Sequence, residues 1–193
     1  MNEPGFVRTA WRLIAALFLL TAVGIARAQS LELPRLMQLL AAAPTAEVAF
    51  TEKKFSTLLS APVVSSGKLV YRRPDIVEKN VETPRKESYR FIGAELVLTR
   101  DGKERRIALS SQPLLAAFAA SLRGVLGGDI VLLRKHYKLS LQGDESSWRI
   151  DMTPIDEQTF KFVQRVTVSG RAGRVAKIEV RESSGDHSVL QVR

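Results

Sequence analysis

The sequence predicts an α+β chain that is mainly β: an antiparallel meander of about eleven short strands, with two or three helices, that curls into a sandwich or barrel. Three observations carry this. Apolar and polar residues alternate over most of the chain, turn residues recur at short intervals, and only two stretches interrupt the alternation with helical spacing. Hydrophobic residues make up 45% and charged residues 25%, which places the chain among globular rather than disordered proteins. No repeat and no low-complexity linker divides it.

The first 28 residues read as a secretory signal peptide. Arg8 and Arg12 precede an apolar run from Leu13 to Ile25, and Ala26-Arg27-Ala28 supplies small residues at a cleavage point. The run falls short of the ~20 residues of a membrane span. Residues 1–28 are therefore assigned to the signal and residues 29–193 to one exported domain, in the periplasm of a Gram-negative cell. The chain has no cysteine, so neither N-terminal lipidation nor disulfides are available.

Leu31 to Ala42 opens the domain as a helix, with Leu33, Leu36, Met37 and Leu40 on one face. Ser30 is placed to cap it, Pro34 fits its first turn, and Pro44 stops it. The period then changes to two. Val48 and Phe50 alternate, and Phe55 on the opposite parity predicts a bulge in a long first strand. Strands follow over Ser65–Arg72, Asp75–Val81 and Lys86–Ile92. Next comes the clearest hairpin, Leu96–Thr99 and Arg105–Leu109 around Asp101-Gly102, where two positive-φ residues suit a tight turn.

A second helix starts near Ser110, Ser111 and Pro113 and stops at Gly127-Gly128. Its stripe contains Leu114, Leu115, Phe118, Leu122, Val125 and Leu126, leaving Ser121 and Arg123 as its polar surface. A short turn over Asp129–Leu133 follows. Alternation resumes through Tyr137, Leu139 and Leu141, then Trp148, Ile150 and Met152, and then Phe160, Phe162, Val166 and Val168. Ala176, Ile178 and Val180, and then Ser188, Leu190 and Val192, close the meander. Gly143-Asp144, Gly170–Gly173 and Ser184–Asp186 read as its turns.

Catalytic signatures are absent: there is no nucleophile elbow, phosphate-binding loop or dinucleotide fingerprint. His136 and His187 lie apart, read as an exposed strand residue and a hairpin residue, with no metal-ligand spacing around them. The pairs Asp144-Glu145 and Asp156-Glu157 read as solvated loop charges. The expectation is a protein that is not an enzyme and needs no cofactor or metal. The formal charge of +9 would suit nucleic acid, but export and the scattering of Lys and Arg exclude it. An anionic membrane surface or an acidic protein fits that charge better, beside the plain reading of a solvated basic surface.

One segment is distinctive. Ser65-Ser66-Gly67-Lys68-Leu69-Val70-Tyr71-Arg72 runs straight into Arg73-Pro74. Together with Phe50-Thr51-Glu52 after the first helix, the strand Trp148–Pro154 and the final strands around Gly185-Asp186, it resembles the LolA family of periplasmic lipoprotein carriers. The order of these motifs, over nearly all of residues 29–193, carries the resemblance. It implies an unclosed antiparallel half-barrel of about eleven strands whose mouth is covered by two or three helices. The enclosed apolar cavity would shield acyl chains of lipoproteins or other lipidated cargo on the way to the outer membrane. The family role of the Arg-Pro arginine, tethering the helical lid through backbone carbonyls, falls on Arg73. Phe50, Leu69, Tyr71, Val77, Leu96, Leu98, Leu115, Phe118, Leu122 and Trp148 are the candidate lining, although inward apolar residues serve a packed core equally well.

The chain departs from the family pattern at several points. Glu52 stands for the glutamine of Phe-x-Gln, and Val77 for a phenylalanine that engages the inner-membrane transporter. Lys103–Arg106 replaces an aromatic strand, and the longer C-terminal tail is missing. The resemblance implies a monomer that meets an inner-membrane exporter and an outer-membrane acceptor. The alternative is a periplasmic regulator with the same half-barrel that senses lipid or protein and binds a membrane-anchored partner.

Overall fold

A computed structural model describes residues 31–43 and 46–193. The signal segment, the Ser30 cap and the Pro44 stop lie outside the described residues. Helix α1 (Leu33–Ala42) leads into six strands: β1 (Ala46–Phe55), β2 (Val63–Arg72), β3 (Ile76–Thr83), β4 (Glu87–Ile92), β5 (Glu95–Arg100) and β6 (Lys103–Ala108). A 3-10 turn (Leu109–Ser111) starts the crossing formed by α2 (Pro113–Gly127) and α3 (Ile130–His136). Then come β7 (Tyr137–Asp144), β8 (Ser147–Pro154), the short α4 (Glu157–Phe160), β9 (Val163–Arg171), β10 (Arg174–Glu182) and β11 (His187–Val192).

All eleven strands form one antiparallel sheet in the order β6-β5-β4-β3-β2-β1-β11-β10-β9-β8-β7. Pairing β1 with β11 joins the first and last strands at the centre of the sheet, leaving β6 and β7 as its unpaired edges. The half-barrel is therefore open. Helices α2 and α3 connect those edges by crossing one face. On that face lie Phe50, Leu69, Tyr71, Val77, Phe91 and Leu96 from one half of the sheet, with Trp148, Ile150, Met152, Val166, Val168 and Ile178 from the other.

Local chemistry explains the main boundaries. Asp101 and Gly102 both take positive φ (50° and 73°), which closes the β5–β6 hairpin. Gly128 caps α2 at φ 69°, and a Cβ there would strike the Met37 carbonyl and Ala41 of α1, so glycine lets the two helices meet. Gly67, opposite Phe50, marks a register shift against β3, where a Cβ would collide with the Asn80 carbonyl.

Several expectations are corrected. Helix α1 begins at Leu33, after Glu32, with no side-chain cap. Strand β1 keeps continuous register with both neighbours, so it has no bulge. Phe55 instead serves the outer face, stacking on His187 with centroids 4.4 Å apart and planes within 8°. Asp129 caps a full helix through the Leu132 amide, which puts half-buried His136 at a helix end rather than in a strand. Gly143 and Asp144 belong to β7, and Glu145 and Ser146 make the turn. Phe160 and Phe162 precede β9 and are exposed, because Asp156 caps α4 and carries the chain out of the sheet. Ser121 and Arg123 do not form the polar surface of α2: Ser121 is buried, donating to the Phe118 carbonyl, and Arg123 is half-buried.

Candidate functional site

Helix α1 presents Leu36, Met37 and Leu40 to the core, and all three are buried. Its last turn contains no basic residue to offset the partial negative charge of the exposed C-terminal carbonyls. Arg73 supplies that cation from the end of β2. Its Nη2 donates to the carbonyls of Leu40 at 3.3 Å and Ala43 at 3.0 Å, and also to that of Ala41. The Arg73 guanidinium carbon sits 5.6 Å from the centre of the Tyr71 ring, whose hydroxyl donates to the Pro74 carbonyl. Burial pushes the Tyr71 phenol up, and the neighbouring Arg73 partly opposes it. A side chain at the end of β2 thus clasps the end of α1.

Beneath the clasp lie two apolar clusters. One packs α1, α2 and α3 against β1 and β7–β11 and includes Phe50 and Trp148, with Leu69 against its margin. The other holds Tyr71, Val77, Phe91, Leu96, Leu109 and Ala119, with Leu115 and Phe118 against it. Leu122 touches both. Phe118 lies tilted on Phe91, centroids 6.1 Å apart. Of the candidate lining, only Leu98 joins neither cluster; it stands half-buried opposite Tyr89.

Under the C-terminal half of α2 the helix packs closely on the sheet. The void between α2 and β8–β10, lined by residues including Ser121, Leu122, Val125 and Met152, measures about 10 Å³. That is the room of about one water molecule. At this place there is no room for a larger apolar group.

Polar groups sit at fixed places around this interior. Glu52 accepts from Lys79 Nζ at 2.5 Å, and the same ammonium lies 5.3 Å from the Phe50 ring centre. The carboxylate in the place of the family's glutamine therefore has its own cation on β3. Nearby, a Tyr89 hydroxyl at 2.6 Å and Arg100 hold the Glu87 carboxyl below its ordinary range. Tyr137 donates to the Ala117 carbonyl at 2.9 Å across a buried gap, and burial drives its phenol up to about 12.

Sequence reading missed these pairs, and it missed Arg123. That guanidinium has buried Nε and Nη2 atoms without a hydrogen-bond partner among the described residues. Burial pushes it down from the usual arginine range, while Asp75 and Tyr71 pull it back up. A lone cation inside an apolar helical stripe was the available signal. Of the acidic pairs, Asp144 braces the β7–β8 turn by accepting from Ser146 and Ser147, Glu145 pairs with Arg35 of α1 at 2.9 Å, and Asp156 caps α4 by accepting from Thr159. Among the described residues no group of three or more His, Cys, Asp or Glu could hold a metal ion.

An open antiparallel half-barrel with a clasped helix over an apolar interior defines the architecture of a covered binding protein. Residues 25–191 match the family described as "Outer membrane lipoprotein carrier protein LolA-like", and the chain belongs to that family. Among curated proteins compared by sequence, none matches. The fold is similar to that of a LolA superfamily protein from Nitrosomonas europaea, at TM-score 0.44 and 14% identity over 83% of this chain and 89% of that one. It is also similar to the lipoprotein LppX of Mycobacterium tuberculosis, at 0.38 and 9% over 83% and 93%. A third similar structure is a chain of the MucA/MucB complex of Pseudomonas aeruginosa, at 0.35 and 18% over 83% and 53%. Among the described residues no helix is long and apolar enough to cross a membrane.

Proposed function

We propose that this protein, processed after Ala28 to residues 29–193, is a periplasmic carrier. It takes acyl chains of lipoproteins or other lipidated cargo between α1–α2 and the sheet and shields them in transit to the outer membrane. The grip of Arg73 on the α1 carbonyls is the observation that carries this reading. A packed interior closed by a few hydrogen bonds at one helix end suits a site that alternates between its own helices and cargo as the apolar filling. Burying either is worth ~25 cal/mol per Å², so the two states can be near in free energy. Exchange with an inner-membrane exporter and an outer-membrane acceptor would complete the route, the chain working as a monomer without a cofactor.

The test is native mass spectrometry of the protein released from the periplasm. A mass corresponding to the chain from Gln29, with a lipid or lipidated adduct that dissociates on activation, is the expected result. Adduct-free protein that also fails to take up a fluorescent fatty acid overturns the carrier reading.

A further inference from the structure

The end of the sheet opposite the clasp carries most of the exposed large apolar side chains among the described residues. Leu58, Leu59, Val63 and Val64 project from the β1–β2 hairpin, Leu58 being 91% exposed. Ile155, Phe160 and Phe162 stand exposed on the β8–β9 connection. Strand pairing puts both sets at the same end, since Phe55 faces His187, His187 faces Arg181, and Glu182 faces Val163. The β10–β11 turn ties them together. Asp186 accepts from the Thr57 amide and hydroxyl, while the Ser183 amide and hydroxyl donate to the Phe162 and Phe160 carbonyls. The two apolar groups thus flank the polar β10–β11 turn at one end of the sheet, and such a cluster marks an interaction surface where scattered residues would not.

Cations back this cluster. Lys161 lies between the two phenylalanines and is exposed. On the outer face, Arg165 stands directly opposite Arg181, and Arg181 opposite His187. Like charges so placed repel, and neither arginine has an ion-pair partner among the described residues. Of the nearby carboxylates, Asp151 pairs with Arg149, Glu179 with Lys177 and Glu182 with Lys54. Asp156 caps α4 and Asp186 accepts from Thr57, while exposed Glu157 has no ion-pair partner among the described residues. Phe160, Arg165, Arg181, His187 and Glu179 all border a groove of about 660 Å³. Apolar tips flanked by unpaired cations and an open groove match an interface where acyl chains give way to phosphate headgroups.

We propose that this end of the sheet docks on a bilayer rich in anionic phospholipid. Leu58, Leu59, Phe160 and Phe162 enter the boundary between headgroups and acyl chains, and Arg165 and Arg181 take headgroup phosphates in the groove. The ten-residue strand β2 holds the Arg73 clasp roughly 30 Å away, clear of the bilayer. This docking does not depend on the carrier reading, because it uses no residue of the clasp or the interior.

The experiment is vesicle flotation of the chain from Gln29 onward, which contains every described element and excludes the apolar leader. Vesicles of phosphatidylglycerol mixed with phosphatidylcholine are compared with pure phosphatidylcholine at low and high ionic strength. Flotation is expected only with the anionic vesicles, weakening at high ionic strength. Arg165→Gln with Arg181→Gln should weaken it roughly thirtyfold, and Leu58→Ser with Leu59→Ser roughly tenfold or more. Leu58→Trp, at a fully solvated site, should blue-shift its emission on adding anionic vesicles. Failure of the wild type to float with anionic vesicles, or equal flotation by either double variant, overturns the proposal. So does binding confined to native membrane vesicles and abolished by proteolysing them, which would assign the cluster to a membrane protein.

Discussion

Replacing Arg73 with leucine removes the donor that reaches the Leu40, Ala41 and Ala43 carbonyls. A hydrogen bond from a charged donor is worth ~1.5–3 kcal/mol when shielded, and a cation at a helix C-terminus adds ~0.3–1. Arg73 is exposed, so water competes for the same carbonyls and the net loss falls to about 1–2 kcal/mol. That shifts the closed–open balance of α1 by roughly five- to thirtyfold. The fold should survive, because Leu36, Met37 and Leu40 still bury α1 against the core. Arg73→Leu should therefore load a labelled acyl probe normally yet pass it to acceptor vesicles more slowly by about that factor, since the closed helix that competes with cargo is less favoured. Arg73→Lys keeps the charge but is shorter and loses the planar guanidinium beside Tyr71, and should fall between the two. The assay is stopped-flow transfer of a fluorescent acyl probe, with hydrogen exchange of the α1 amides read in parallel. Wild-type transfer rates and unchanged α1 protection in Arg73→Leu would refute the clasp.

Three further expectations follow from the interior. Arg123→Met should raise Tm by about 2–4 °C in thermal melts, because it removes a guanidinium with unpartnered buried nitrogens while keeping the stem's packing. Tyr137→Phe should lower stability by about 1–1.5 kcal/mol, seen as a lower urea midpoint at unchanged slope, because the Ala117 carbonyl loses its buried donor. Stability should fall in acid in two stages. Burial, with Lys135 adding, holds His136 below its ordinary pKa, so the unfolded chain takes up the proton first and stability declines as pH drops below about 6.5. At Asp151, burial pushes the carboxyl up, but hydrogen bonds from Thr167 and Arg149 outweigh it and hold it low; that stabilisation is lost below about pH 4. In melts across pH, His136→Gln should abolish the first stage alone, and Asp151→Asn should lessen the second, to which Glu87 also contributes.

What the sequence by itself determined is what short-range rules govern. Alternation with turn residues specified the eleven strands, Asp101-Gly102 specified a hairpin, and Pro113 and Gly128 bounded α2. The Arg-Pro placement at the end of an apolar strand, read together with the family resemblance, pointed to Arg73. The tertiary structure decided everything that depends on which distant segments meet. The acceptors of Arg73 lie some 30 residues away in α1, and their availability depends on how that helix sits across the sheet. Phe55 stands on the opposite parity to Phe50, and the unbroken register of β1 turns it outward; the phenylalanines before β9 continue an apolar run, and only the capping of α4 carries them out of the sheet. Ser121 and Arg123 look like the wet side of α2 until the half-barrel wraps the helix and buries that side. Whether Phe118 and Leu122 line a void or fill it is likewise beyond periodicity, because both demand an inward apolar residue. The curvature of the sheet and the seating of α2 leave a void of about 10 Å³ beside Leu122, whereas Phe118 packs against Phe91.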